Sequence, residues 1–294
     1  MGVATHATAE SLDNGATLLK PTPAQYEQDA SGAAKINLSG KLRMLSQRVA
    51  ASACNASAGI ALDRSQAMLH DASDEFTQIV GALRFGDAAL GIPDPEEDRK
   101  VQAEIKTLKD IWEPMRAQIE GAKGGEVSTE LARDLAAQSA PLLEQAKLLV
   151  SRETAEHSNP ADLLQADALL IDISGRQRML AQRISKNACL AQEGDTAAIE
   201  EMNAAIETYD VSLMALRNGM AEVGILPPPT QSISDGLDEI IADWTAMKPI
   251  LARVAAGESI GAEERAMIYL GANGLTGKMN VLVGEYEAAS SRGL

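Results

Sequence analysis

Apolar residues recur every three or four positions along much of the chain, the spacing of helices that bury one face. Ile105, Leu108, Ile111, Trp112 and Met115 mark one such face, and Leu237, Ile240, Ile241, Trp244 and Met247 mark another. Breakers separate the periodic segments at Gly91 and Pro93, Gly124-Gly125, Asn159-Pro160, Gly194-Asp195, Pro227-Pro228-Pro229 and Gly257. Together these signals predict helices over residues 31–60, 63–89, 97–122, 127–157, 162–193, 196–222, 230–255 and 261–290. Four helices with short connections form an antiparallel bundle. The expected fold is therefore all-α: two tandem antiparallel four-helix bundles, residues 31–158 and 159–294, related by a pseudo-two-fold axis. A partly helical or loose polar lead-in over residues 1–30, carrying Pro21 and Pro23, is expected to precede them.

The division into halves rests on a repeat. Residues 36–54, INLSGKLRMLSQRVAASAC, and 171–189, IDISGRQRMLAQRISKNAC, are identical at ten of nineteen positions. Similarity continues beyond this segment. Leu83-Arg84-Phe85-Gly86 answers Leu216-Arg217-Asn218-Gly219, Gly91-Ile92 answers Gly224-Ile225, and Leu149-Val150 answers Leu282-Val283. Trp112 and Trp244 also correspond, and large aromatics at equivalent places are expected to anchor the two cores. The offset drifts only from 135 to 132, which puts insertions of one or two residues in loops.

Composition supports helices and narrows function. Aromatics are only 3% of the 294 residues, while 45% are hydrophobic, enough for two cores of about 135 residues each. A net charge of −16 repels polyanions, so neither nucleic acid nor an anionic membrane is an expected partner. No stretch approaches twenty uninterrupted apolar residues, so no membrane insertion is expected. His6, His70 and His157 show no metal-ligand spacing, and phosphate loops and nucleophile elbows are missing. An enzyme, a metal or a cofactor is therefore not expected. No basic, apolar leader is visible at the amino terminus, so the expected compartment is the periplasm if a signal was removed before residue 1, and the cytoplasm otherwise.

The repeated segment becomes informative when wound at about 100° per residue. Gly40, Gln47 and Cys54 fall within about 60° of Arg43, and Ser39 and Ala50 flank it on the other side. One face thus combines an arginine and a glutamine with small residues that let another helix approach. Ser174, Gly175, Arg178, Gln182 and Cys189 repeat the arrangement. Arg48 and its counterpart Arg183 point about 140° away, where a salt bridge within the bundle is the expected role. Gln47 and Gln182 suit either a pocket wall or an interhelical hydrogen bond. Pairing with a carboxylate from a neighbouring helix is an alternative fate for Arg43 and Arg178.

The stretch from Ile36 to Arg48, with Ser39-Gly40, Arg43-Met44-Leu45 and Gln47-Arg48, resembles the sensor-domain box of nitrate and nitrite sensor kinases of the NarX and NarQ type. It is also similar to the amino-terminal domain of the pilus chemotaxis transducer PilJ, and the copy from Ile171 to Arg183 fits that form still better. The resemblance implies a helical sensor in which an anion sits between two first helices and is held by one arginine from each. Carried onto this chain, those arginines are Arg43 and Arg178, and Gly40 and Gly175 match the glycine that admits the anion. A planar monoanion suits two guanidinium forks and relieves their mutual repulsion. The kinase family builds such a site from two chains; this tandem chain carries both halves.

Cys54 and Cys189 occupy the same repeat position, three turns past the arginines. If the first helices pack side by side, a disulfide joins the halves; two buried thiols serving as small apolar residues fit the sequence equally. The expected function is a soluble sensor or binding protein of a signal-transduction system with nitrate or nitrite as ligand. Two alternatives stand beside it: a ligand-free helical module that docks to a chemoreceptor, pilus or sensor-kinase component, and a sensor of an organic ligand in a different cleft. Transmembrane helices, a transmitter module and a kinase signature are all missing, so the signal is expected to leave through a partner sensor or transducer protein or by a change of oligomeric state.

Overall fold

The computed structural model describes residues 23–157 and 165–290. Eight α-helices follow in order: α1 (Pro23–Ser57), α2 (Leu62–Phe85), α3 (Arg99–Gly121), α4 (Thr129–His157), α5 (Gln165–Gln192), α6 (Ala197–Asn218), α7 (Gln231–Ala255) and α8 (Ala262–Ser290). The fold is all-α, in two four-helix bundles. In the first, α1 packs on α2 and α4, and α3 closes the ring; α5 to α8 repeat the scheme. The start of the lead-in, the Asn159-Pro160 breaker and the boundary between residues 158 and 159 lie outside the described residues.

Several helix ends differ from the periodicity-based limits, each for a local reason. α1 begins at Pro23 rather than residue 31, since proline in a first turn forfeits no helical hydrogen bond and has a suitable φ. Helix α2 stops at Phe85, four residues early, because Gly86 takes φ 80°. A Cβ at Gly86 would also stand 2.9 Å from the Pro93 carbonyl oxygen. A 3₁₀ turn, Ala88–Leu90, follows inside a small loop closed by Asp87 and Ile92. The second bundle repeats this loop with Gly219, Ala221–Val223 and the Met220–Ile225 bridge. Helix α3 starts at Arg99 because the Asp98 carboxylate accepts from the backbone N–H groups of Lys100 and Val101, both at 2.8 Å.

Each bundle is filled around its tryptophan. Trp112 and Trp244 are both 1% exposed. Trp112 packs on Phe76 with ring centroids 4.2 Å apart, and Trp244 on Tyr209 at 4.6 Å. Their indole N–H groups donate to Thr77 Oγ1 and Asp210 Oδ1, which removes the cost of burying a donor.

The seam between bundles is α1 against α5. Cys54 is disulfide-bonded to Cys189, with Cα atoms 6.2 Å apart. Nearer the helix starts, Asn37 meets Arg178 and Asp172 meets Arg43. Since residue numbers rise together along both helices from this pair of contacts to the disulfide, α1 and α5 run parallel. A position joined to its own repeat counterpart, with reciprocal contacts beside it, is the signature of a two-fold relation. Small residues make the close approach feasible: Ser39, Ala50, Ala53, Ser174 and Ala188 are all buried.

Candidate functional site

The seam carries two buried cations. Arg43 is 7% exposed and Arg178 is 3% exposed. Each turns back along its helix, with Nε directed at the carbonyl three residues earlier: Gly40 at 3.5 Å for Arg43 and Gly175 at 3.4 Å for Arg178. This brings the guanidinium groups together. A Cβ built on Gly175 would stand 3.5 Å from Arg178 Nη2 and 3.7 Å from Arg43 Nη2. One point above the glycine is therefore within 4 Å of both forks. Gly40 sees only its own arginine, at 3.5 Å.

The partners of the two arginines differ. Arg43 Nη1 donates to Asp172 Oδ1 at 3.3 Å, across the seam, and Asp172 also pairs with Arg176. Arg178 donates to Asn280 Oδ1 at 2.6 Å and to Asn37 Oδ1 at 3.4 Å. Among the described residues no carboxylate lies within salt-bridge distance of Arg178. The carboxylate pairing considered for both arginines thus occurs at Arg43 alone, and its partner comes from the opposite bundle. The Asn37 to Asp172 difference between repeats makes the site unequal: Arg43 has a carboxylate in direct contact, shared with Arg176, whereas Arg178 feels Glu287 and Glu75 only from beyond salt-bridge distance.

Electrostatics follow from this. Burial holds Arg43 below the ordinary arginine range, with Asp172 opposing the fall. Burial, and next the charge of Arg43, bring Arg178 down to about 10. Both stay cationic at neutral pH. Two unit charges within about 8 Å repel by about 2 kcal/mol at an effective dielectric near 20. An anion between them reverses the sign of that interaction.

The remaining expected residues fall around this pair in supporting roles. Ser39 and Ser174 spend their hydroxyl hydrogens on the carbonyls of Ile36 and Ile171, at 2.9 and 3.0 Å. Gln47 donates to the Ser139 carbonyl on α4, and Gln182 to Thr276 Oγ1 and the Ala272 carbonyl on α8. Both glutamines are thus interhelical ties within their own bundles. Arg183 forms the expected intra-bundle salt bridge, 3.5 Å from Glu201. Arg48 does not: it makes no ion pair among the described residues, because Glu75, the carboxylate it faces, is held by Lys41. Asn280 escaped the sequence reading. Its repeat counterpart is Lys147, a half-buried residue paired with Glu144, so the repeat gave no signal there.

Among the described residues no helix is long and apolar enough to cross a membrane. Comparison with curated proteins finds no match. The family model for the type IV pili methyl-accepting chemotaxis transducer N-terminal domain matches twice, over residues 25–141 and 162–268. Each match contains one Ser-Gly-x-x-Arg-Met-Leu-x-Gln-Arg segment and one arginine of the seam. With more than half of its length matched in two segments, the chain belongs to the family of type IV pili methyl-accepting chemotaxis transducer N-terminal domains and carries that domain as a tandem repeat.

Proposed function

We propose that the chain senses one small inorganic anion, nitrate or nitrite, held between Arg43 and Arg178. The family is one of signal-transduction sensing modules, and the ligand is the finer part of the reading. The observation that carries it is the meeting of two buried guanidinium groups above Gly175, with one carboxylate in direct contact with Arg43 and already shared with Arg176. Two guanidinium forks within 4 Å of one point suit a planar monoanion, whose oxygens accept from both forks. The Cys54–Cys189 bond supports an oxidising compartment such as the periplasm. The signal passes to a partner transducer through the relative arrangement of the two bundles, since the anion bridges their first helices.

Thermal unfolding with nitrate, nitrite, chloride and sulfate tests the ligand. A bound anion at a hundred times its dissociation constant stabilises the chain by about 2.7 kcal/mol. Nitrate or nitrite is expected to raise the melting temperature above that in equal chloride, and Arg178→Gln is expected to remove the increment. Equal melting curves in all four salts would leave the ligand-free docking module as the better reading.

A further inference from the structure

A second site lies away from the arginine pair. The C-terminal ends of α1 and α5, the start of α6 and the first half of α4 line a groove of about 530 Å³. The two-fold relation of the bundles calls for a twin groove between α1, α5 and α8, but only about 10 Å³ remains there. The difference lies in the fourth helices. Gln47 and Gln182 donate to the carbonyls of Ser139 and Ala272, which fixes an offset of 133 between α4 and α8. At that offset Arg265 and Tyr269, which fill the twin, stand opposite Ala132 and Ala136. The open groove is therefore open because α4 has alanines where α8 has large side chains.

A lysine accompanies this opening. Lys186 lines the groove at 5% exposure, and its counterpart in α1 is Ala51. Its ammonium has two long contacts, Ser139 Oγ at 3.4 Å and Glu201 Oε2 at 3.9 Å. Glu201 is shared with Arg183 at 3.5 Å and Asn187 at 3.4 Å. Burial lowers Lys186 to about 8, the response of an ammonium short of compensation. At the rim, Arg133 makes no ion pair among the described residues, while Glu193 is held by Arg265 at 2.6 Å and Asp195 accepts from the Ala197 N–H at 3.1 Å. Of the charged groups lining the groove, Lys186 and Arg133 thus have the least direct pairing, beside an alanine wall, while Glu201 and Asp195 keep their negative charge.

We propose that this groove binds a small organic carboxylate, its carboxylate on Lys186 and its carbon chain against Ala132, Ala136 and Ala140. The volume lies within the range of small-molecule sites. A second carboxylate, where the ligand has one, meets Arg133. This site is separate from the arginine pair and stands or falls independently of the nitrate reading.

The test is calorimetric titration of the whole chain with succinate and a panel of two- to six-carbon mono- and dicarboxylates. At least one is expected to bind once per chain, with affinity weakened tenfold or more by Lys186→Gln and by Ala136→Tyr, which copies Tyr269 into the open groove. Lys186→Gln removes a buried charge and keeps a side-chain hydrogen-bond donor, so it serves where Ala136→Tyr fails to fold. Arg178→Gln is expected to leave carboxylate binding unchanged. No heat from any panel member, or binding that persists unchanged in Lys186→Gln, would overturn the proposal.

Discussion

Arg43 of the first repeat is paired with Asp172 of the second, Nη1 to Oδ1 3.3 Å, while the corresponding contact on the other side of the seam joins Arg178 to the neutral Asn37. One residue difference therefore sets the charge of the site. Replacing Asp172 with Asn gives both repeats the same residue at this position and removes the carboxylate that, among the described residues, is the only one in salt-bridge contact with either arginine. Asp172→Asn is expected to bind nitrate about tenfold more tightly, for a Coulomb change of about 1.4 kcal/mol. It is also expected to melt at a lower temperature without anion, as buried Arg43 then loses its direct carboxylate partner. Weaker anion binding in this variant, measured by calorimetry, would show that Asp172 orients Arg43 rather than competing for it.

Gly175 separates site from scaffold. A methyl group there meets both Nη2 atoms at ordinary van der Waals distances of 3.5 and 3.7 Å, so it fits without displacing the helix. In a helix interior, Gly to Ala stabilises by up to about 1 kcal/mol. Gly175→Ala is accordingly expected to keep or raise the melting temperature while blocking the anion, and Gly40→Ala to block it less. Thermal unfolding with and without nitrate reads both effects in one experiment.

The disulfide closes a long loop, 135 residues between Cys54 and Cys189. Chain-entropy arguments assign such a link about 5 kcal/mol, and native disulfides commonly deliver 2–5 kcal/mol. Reduction, or Cys54→Ser with Cys189→Ser, is expected to lower denaturant stability by about that range and to weaken anion binding, because the two arginines would then sit on halves free to part. Unchanged unfolding curves under reductant would mean that α1 and α5 hold together by packing alone.

Glu153 gives a pH signature. Its side chain is fully buried on α4, close to the Lys35–Glu96 ion pair and to Asp98. Burial, with Glu96 next, raises it to about 7. Because the folded value exceeds the ordinary 4.5, the folded chain holds this proton more tightly than the unfolded chain does. The contribution is present in full below about pH 4.5 and is lost as pH rises through about 7, on the order of 3 kcal/mol. Glu153→Gln is expected to stabilise the chain at pH 8 and to do little at pH 5, as followed by urea unfolding at both values. An equal effect at the two values would rule out titration as its cause.

The parts of the site legible in the sequence are those the repeat wrote twice. Arg43 and Arg178 stood out because each sits on a face of small residues, and a face of small residues means a close helix. The direction of a side chain follows from its position, but its partner does not: Arg48 points where a salt bridge was expected, yet Lys41 reaches Glu75 first. Features that break the repeat were silent. Asn280, Lys186 and the alanine wall of α4 have unlike counterparts, and only packing reveals that Ala136 leaves open what Tyr269 fills. Helix α1 likewise starts before residue 31, inside the lead-in, because a first-turn proline is compatible with a helix.

The central claim is that two repeats form one anion site, and calorimetric titration of nitrate and nitrite into the oxidised chain tests it most directly. The expected result is one anion per chain, with binding abolished by Arg43→Gln and by Arg178→Gln separately. Two anions per chain, or binding that survives either substitution unchanged, would contradict it.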